Sequence, residues 1–190
     1  MKESSIEERI LDPSICDYFF KEETFLGPWI VEDKENSKDK KLGGIVITSF
    51  GASGSPNEIA LYGAMSILKI KRTGVLKTKY KFFSKNNNLI GTFYDKFISK
   101  SFTKKGVLED EKGKTVLIVN NSLSEIKNLK GQKIAYFTYK NGKIKKPKLL
   151  RQTSFELHVT ENNFDKKLLL GISIAIHYGY FAFSPGVGGM

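Results

Sequence analysis

Basic side chains recur at every second position in one short segment of this 190-residue sequence. In KTKYKF, residues 77–82, the charged positions are Lys77, Lys79 and Lys81. Because successive side chains of a β-strand point to opposite faces, these lysines would share one face, with the aromatic residues on the other. A row of ammonium groups at this spacing attracts phosphate and other anions.

A second basic segment, KIKKPKLLR, follows at residues 143–151. Its charged residues are Lys143, Lys145, Lys146, Lys148 and Arg151. If this segment and residues 77–82 lie on neighbouring strands, we expect one patch that docks reversibly on anionic lipid, with about 1 kcal/mol per lysine. The alternative is a solvated, lysine-rich strand face that binds nothing.

The positive charge of the chain is concentrated in its central part. The formal net charge is +11. Residues 69–151 hold 22 Lys/Arg and five Asp/Glu, whereas residues 1–40 hold six Lys/Arg and eleven Asp/Glu. A basic block of this kind attracts phospholipid headgroups, nucleic acid or an acidic protein, including its own segment 1–40. The pattern disfavours nucleic acid, because Tyr80 and Phe82 face away from the lysines and cannot stack on bases beside them.

Catalytic and metal-binding residues are scarce. Cys16 lies among acidic residues that disfavour a thiolate, and one cysteine with two distant histidines does not make a zinc site. His158 shares its predicted strand face with Glu156 and Thr160, which is typical of a surface histidine. There is no Gly-x-Ser-x-Gly motif. We therefore predict a non-enzymatic protein without a metal or cofactor.

Period-two alternation and frequent turns predict a mainly β chain. Leu68 and Ile70 alternate with lysines, and turn segments recur at 84–88, 109–114 and 140–143. We count eight to eleven candidate strands without regular helices between them, a pattern that favours an antiparallel sheet closed into a barrel. Residues 1–24 are predicted as an acidic lead-in, and the lack of a secretory signal makes the cytoplasm the expected compartment.

The segment KKLLLGISIAIHYGYFAF, residues 166–183, is apolar on every side. We predict a helix over 164–183, capped by Asn162–Asn163, and enclosed either by protein or by lipid. Its sixteen uncharged residues, 168–183, fall short of the ~20 that span a bilayer, and an intramembrane His177 would be costly. Enclosure by protein is favoured, with His177 as a neutral core residue; a ligand contact or a pH-sensitive latch are the alternatives for it.

The helical segment resembles the end of the phospholipid scramblases. In LLGISIAIHYGYF, the matching residues are Leu169, Leu170, Gly171, Ile176, Tyr178, Tyr180 and Phe181. The scramblases belong to the tubby-like superfamily, together with the plant LURP-one-related proteins. The resemblance implies an antiparallel closed β-barrel of about twelve strands around a central hydrophobic C-terminal α-helix. It places the barrel domain at 25–183, and we predict a flexible tail at 184–190 from its sequence SPGVGGM.

The family likeness also guides the functional prediction. His177 stands where scramblases have aspartate, and the cysteine cluster, the proline-rich N-terminal region and a calcium loop are absent. Tubby domains, which are similar, bind phosphoinositides through lysine and arginine. We predict a non-enzymatic module, peripheral to the membrane, that binds anionic phospholipid or phosphoinositide through a lysine-rich barrel face. The alternatives are a membrane-inserted, scramblase-like protein and a scaffold for an acidic protein partner.

Overall fold

The structure is a computed structural model of the full chain, and it describes most of the 190 residues. The described ranges are 9–23, 28–36, 40–51, 56–63, 65–74, 79–95, 106–120, 125–139 and 154–180. Within them lie twelve strands: β1 Asp17–Glu22, β2 Trp29–Asp33, β3 Lys41–Phe50, β4 Pro56–Tyr62, β5 Ser66–Thr73, β6 Lys79–Ser84, β7 Leu89–Asp95, β8 Gly106–Asp110, β9 Thr115–Val119, β10 Glu125–Asn128, β11 Lys133–Tyr139 and β12 Ser154–Val159. One C-terminal helix, α1, spans Lys166–Tyr180.

The strands form one closed antiparallel barrel in which each strand pairs with the next along the chain. The barrel closes where β1 pairs with β12, with Tyr18 opposite Leu157 and Phe20 opposite Phe155. The predicted fold class is thus confirmed. The barrel begins within the predicted lead-in 1–24, because β1 supplies the inward-facing Tyr18 and Phe20, both fully buried.

Helix α1 runs through the barrel and fills its interior. The helical residues from Leu169 to Tyr178 are all buried. At Gly171 a side chain would meet Leu68 and Phe82 at 3.1 and 3.3 Å, so the absence of one lets the helix pack closely against β5 and β6. Enclosure by protein is therefore confirmed.

The helix begins at Lys166, two residues later than in the predicted range 164–183. Asp165, rather than Asn162–Asn163, caps the helix: its Oδ1 accepts a hydrogen bond of 2.8 Å from the Lys167 N–H. The predicted Phe181 and the predicted tail 184–190 lie outside the described residues. No helix in the described ranges has both the length and the apolar character needed to cross a membrane.

The two ends of the barrel have different structural roles. Helix α1 starts after β12, at the end we call the entry end, where Lys166 Nζ donates to the backbone oxygens of Asp12 and of Ile15, the latter at 2.5 Å. The C-terminal turn of α1 reaches the opposite end, the exit end, where His177 packs against Trp29 at the start of β2. Because adjacent strands are antiparallel, the connections that precede even-numbered strands all join strands at the exit end.

Candidate functional site

Four lysines lie on the outer surface of two neighbouring strands, and we call Lys69, Lys71, Lys79 and Lys81 the basic face. In the β5–β6 register Lys71 is directly opposite Lys81, and Lys79 is opposite Thr73. The alternation of these strands buries the intervening residues, Leu68, Ile70, Tyr80 and Phe82. The predicted division of both strands into a basic and a buried face is confirmed.

Within the basic face, like charges are placed side by side. Residues directly opposite each other in an antiparallel pair have Cβ atoms about 5 Å apart, so Lys71 and Lys81 repel each other. Among the described residues neither lysine takes part in an ion pair, whereas Lys69 Nζ lies 3.8 Å from Glu58 Oε1. The exposed Lys71 and its neighbour are therefore open to an external anion.

Acidic residues border the basic face on both sides. On one side, Glu58 of β4 is opposite Lys71. On the other side, Lys81 is opposite Thr92 of β7, and Thr92 is in turn opposite Glu109 of β8. At the exit end Lys79 Nζ lies 5.0 Å from the centre of the Tyr94 ring, a cation–π geometry that positions the ammonium group. The face therefore combines four positive charges with two flanking negative ones.

The other predicted lipid-binding residues, Lys77, Lys143, Lys145, Lys146, Lys148 and Arg151, lie outside the described residues. The two basic segments were predicted to form one patch if they lay on neighbouring strands, and this stays a prediction because residues 143–151 lie outside the described residues. Segment 140–153 joins β11 to β12, whereas β6 pairs with β5 and β7 and is six strands away from β12. Sequence could not reveal this, because strand order depends on pairing over long chain distances.

Both basic segments include residues of connections that join strands at the same end of the barrel. The six connections that join strands at the exit end contain eleven Lys/Arg and one Asp/Glu in sequence. The connections at the entry end, including the one that leads into α1, contain seven Lys/Arg and five Asp/Glu. The charge excess of the chain thus belongs mostly to connections that join strands at the exit end, the end at which β6 begins with Lys79.

A second polar cluster lies on the outer surface where the barrel closes. His158 Nδ1 contacts Asp17 Oδ1, and His158 Nε2 lies 2.6 Å from Thr138 Oγ1. Glu156 Oε2 accepts hydrogen bonds from Lys34 Nζ at 2.7 Å and from Thr138 Oγ1 at 3.1 Å. Although partial burial raises it, the pKa of Glu156 is on balance lowered by these hydrogen bonds.

This cluster links the strands on both sides of the barrel closure. Asp17, His158 and Thr138 have the order of a carboxylate–imidazole–hydroxyl chain. Here the three side chains lie on the outer surface of three paired strands, and Glu156 also binds the hydroxyl. The predicted placement of His158 beside Glu156 on one strand face is confirmed, and the contact with Asp17, 141 residues away, was not predicted.

His177 occupies an aromatic environment in the core. It is 1% exposed, and its ring lies 4.3 Å from that of Trp29 and 4.9 Å from that of Phe155, with which it stacks. Its predicted position in the core is confirmed. The described parts of the chain contain no cluster of three or more side chains suited to binding a metal ion.

Comparison with known proteins extends only to the fold. No protein-family profile and no curated protein sequence matches this chain. Its structure is similar to the X-ray structure of the protein AT5G01750 from Arabidopsis thaliana, with a TM-score of 0.55 and 12% sequence identity. The similarity covers 88% of this chain and 95% of the plant protein. At this identity the likeness shows a shared barrel fold alone.

Proposed function

We propose that this protein is a non-enzymatic module that docks on anionic phospholipid or phosphoinositide at a membrane surface. The observation that carries the proposal is the basic face, in which Lys71 stands directly opposite Lys81 without an ion pair among the described residues. Two adjacent ammonium groups repel each other when solvated, and an anion placed between them would relieve that repulsion.

The charge of the basic face alone supports weak binding. Each lysine near an anionic bilayer contributes about 1 kcal/mol, so four lysines offset by two glutamates contribute about 2 kcal/mol. Lys77 and the basic residues of segment 143–151 belong to exit-end connections, and their charge would add to that of the basic face. We include them in the proposed binding surface, which then includes this end of the barrel as well as one side.

Membership of the tubby-like superfamily, in its scramblase and LURP-one-related branch, is part of the proposal. It is supported by the residues that match in α1 and by a twelve-stranded barrel around that helix. We propose a cytoplasmic location, peripheral to the membrane.

The two alternative functions have less support. A scramblase-like protein would place α1 in lipid, yet the helix is enclosed by its own strands from Leu169 to Tyr178. The described part of segment 1–40 is a poor internal partner for the lysines, because β1 and β2 belong to the barrel wall on the side away from β6. An external acidic protein is therefore the competing occupant that the experiment must distinguish.

Vesicle flotation with charge-reversed variants tests the proposal. The variant Lys71→Glu/Lys81→Glu should bind vesicles of phosphatidylcholine and phosphatidylserine at least about tenfold more weakly than the natural protein. The matched control is Lys112→Glu/Lys114→Glu, which makes the same charge change on exposed residues of the entry-end β8–β9 turn. It should bind normally.

The comparison of the two variants decides the outcome. Equal weakening in both would show that binding follows net charge and not the basic face. If the natural protein ignores vesicles of every charge but is retained by an acidic protein, the basic face serves a protein partner. If the natural protein does bind, adding a phosphoinositide to vesicles of equal total charge separates a specific headgroup preference from general attraction to negative charge.

A further inference from the structure

Among the described residues, large apolar side chains are exposed at both ends of the barrel, and one of them lies at the exit end, where Lys79 begins β6. Phe50 is 60% exposed at the last position of β3, at the exit end. Met65 is also 60% exposed and Leu129 is 57% exposed, and both lie in connections at the entry end. An aromatic ring exposed beside basic residues can bury itself at the boundary between headgroups and acyl chains of an anionic bilayer.

The strand register places Phe50 close to the lysines. Phe50 is opposite Pro56, and two residues further along β4 Glu58 is opposite Lys71. Two strand spacings of about 4.8 Å and two residues of about 3.3 Å put the Cα atoms of Phe50 and Lys71 on the order of 12 Å apart. One bilayer patch can therefore contact both side chains at once.

Resting on the proposed function, we infer that Phe50 is the apolar anchor of the docked protein. The ring of Phe50 enters the boundary between headgroups and acyl chains of an anionic phospholipid bilayer. The partner is a bilayer because the lysines beside the ring are complementary to a negative surface, which attracts basic residues within about 10 Å. The exit end therefore faces the membrane and the entry end faces away.

The two parts of the contact respond differently to salt. The attraction between lysines and headgroups is screened as ionic strength rises, while burial of an aromatic ring in lipid is not. Lysine stems can lie along the lipid surface and keep their ammonium groups at the phosphates, so the two contacts do not compete. Binding by the natural protein should therefore retain a salt-resistant part that depends on Phe50.

The test is Phe50→Ser, with Met65→Ser as a control of equal exposure at the opposite end. On phosphatidylcholine–phosphatidylserine vesicles, Phe50→Ser should weaken binding about five- to twentyfold, the range expected for burying the exposed part of one large apolar side chain. The salt-resistant part should disappear. Met65→Ser should bind like the natural protein, and denaturant unfolding of each variant checks that the exposed substitutions leave the fold intact.

A second measurement uses fluorescence. In Phe50→Trp, lipids that carry a quencher in the upper acyl chain should quench emission beyond the background from the buried Trp29, whereas in Met65→Trp they should not. Binding by Phe50→Ser equal to that of the natural protein would overturn the inference, even if Lys71→Glu/Lys81→Glu still weakens binding and upholds the proposed function. A natural protein that binds no anionic vesicle would instead overturn the proposed function, and the inference with it.

Discussion

Replacing Tyr178 with phenylalanine tests whether the barrel encloses the last described turn of α1. Tyr178 is buried, and its ring packs against Trp29 with centroids 6.2 Å apart and against His177 at 5.5 Å. Phenylalanine keeps the ring and removes only the hydroxyl. The variant Tyr178→Phe therefore isolates the titration of one phenol in the core.

The magnitude follows from the difference between the folded and unfolded pKa of this group. Burial raises the pKa of Tyr178 well above its ordinary value of 10.0, and the nearby charge of Glu22 raises it further. The unfolded chain therefore loses this proton first as pH rises. The contribution of the protonated phenol to the free energy of unfolding is therefore fully present below about pH 10. It falls as the pH rises from there towards the folded pKa, and at pH ~11 the loss is about 1.4 kcal/mol.

Denaturant unfolding at about pH 8 and pH 11 measures the effect. The difference in free energy of unfolding between the natural protein and Tyr178→Phe should shift by about 1.4 kcal/mol in favour of the variant at the higher pH. Both proteins carry the same lysines, so the titration of lysines cancels in this difference. An equal difference at the two pH values would mean that Tyr178 is solvated in the folded protein, which contradicts an enclosed helix.

Three further substitutions test other parts of the structure. Gly171→Leu should lower the free energy of unfolding by about 1–3 kcal/mol or more, because a Cβ atom there would already lie 3.1 Å from a side chain of β5. Lys166→Met removes the donor to two backbone oxygens of residues 9–16, so it should cost about 1–3 kcal/mol and speed amide hydrogen exchange in that segment. His158→Gln should cost less than about 1 kcal/mol and leave vesicle binding unchanged, because β12 lies across the barrel from β6.

Each of these substitutions has a contrary outcome. Unchanged stability of Gly171→Leu would show that the interior has room beside the helix. Normal hydrogen exchange in residues 9–16 of Lys166→Met would show that other contacts hold this segment at the entry end. Weaker vesicle binding by His158→Gln would place the membrane contact on the side of β12 and not on the basic face.

Local periodicity was enough to predict which residues of β5 and β6 are buried. Lysines alternate with Leu68 and Ile70 in β5 and with Tyr80 and Phe82 in β6, and all four apolar residues are buried. The reason is that a strand turns successive side chains to opposite faces whatever its neighbours are. The apolar character of α1 on every side likewise predicted an enclosed helix, because no surface of it can face water.

The sequence by itself therefore determined the classes of element and their buried faces, and the tertiary structure decided which faces and ends come together. Only the register places Lys71 opposite Lys81 and brings Asp17 to His158 across 141 residues. Only the alternation of strand direction assigns Phe50 to the exit end and Met65 to the entry end. Side-chain direction follows from the geometry of a few neighbouring peptides, whereas strand order and register depend on the free energy of closing the whole barrel, which no short segment contains.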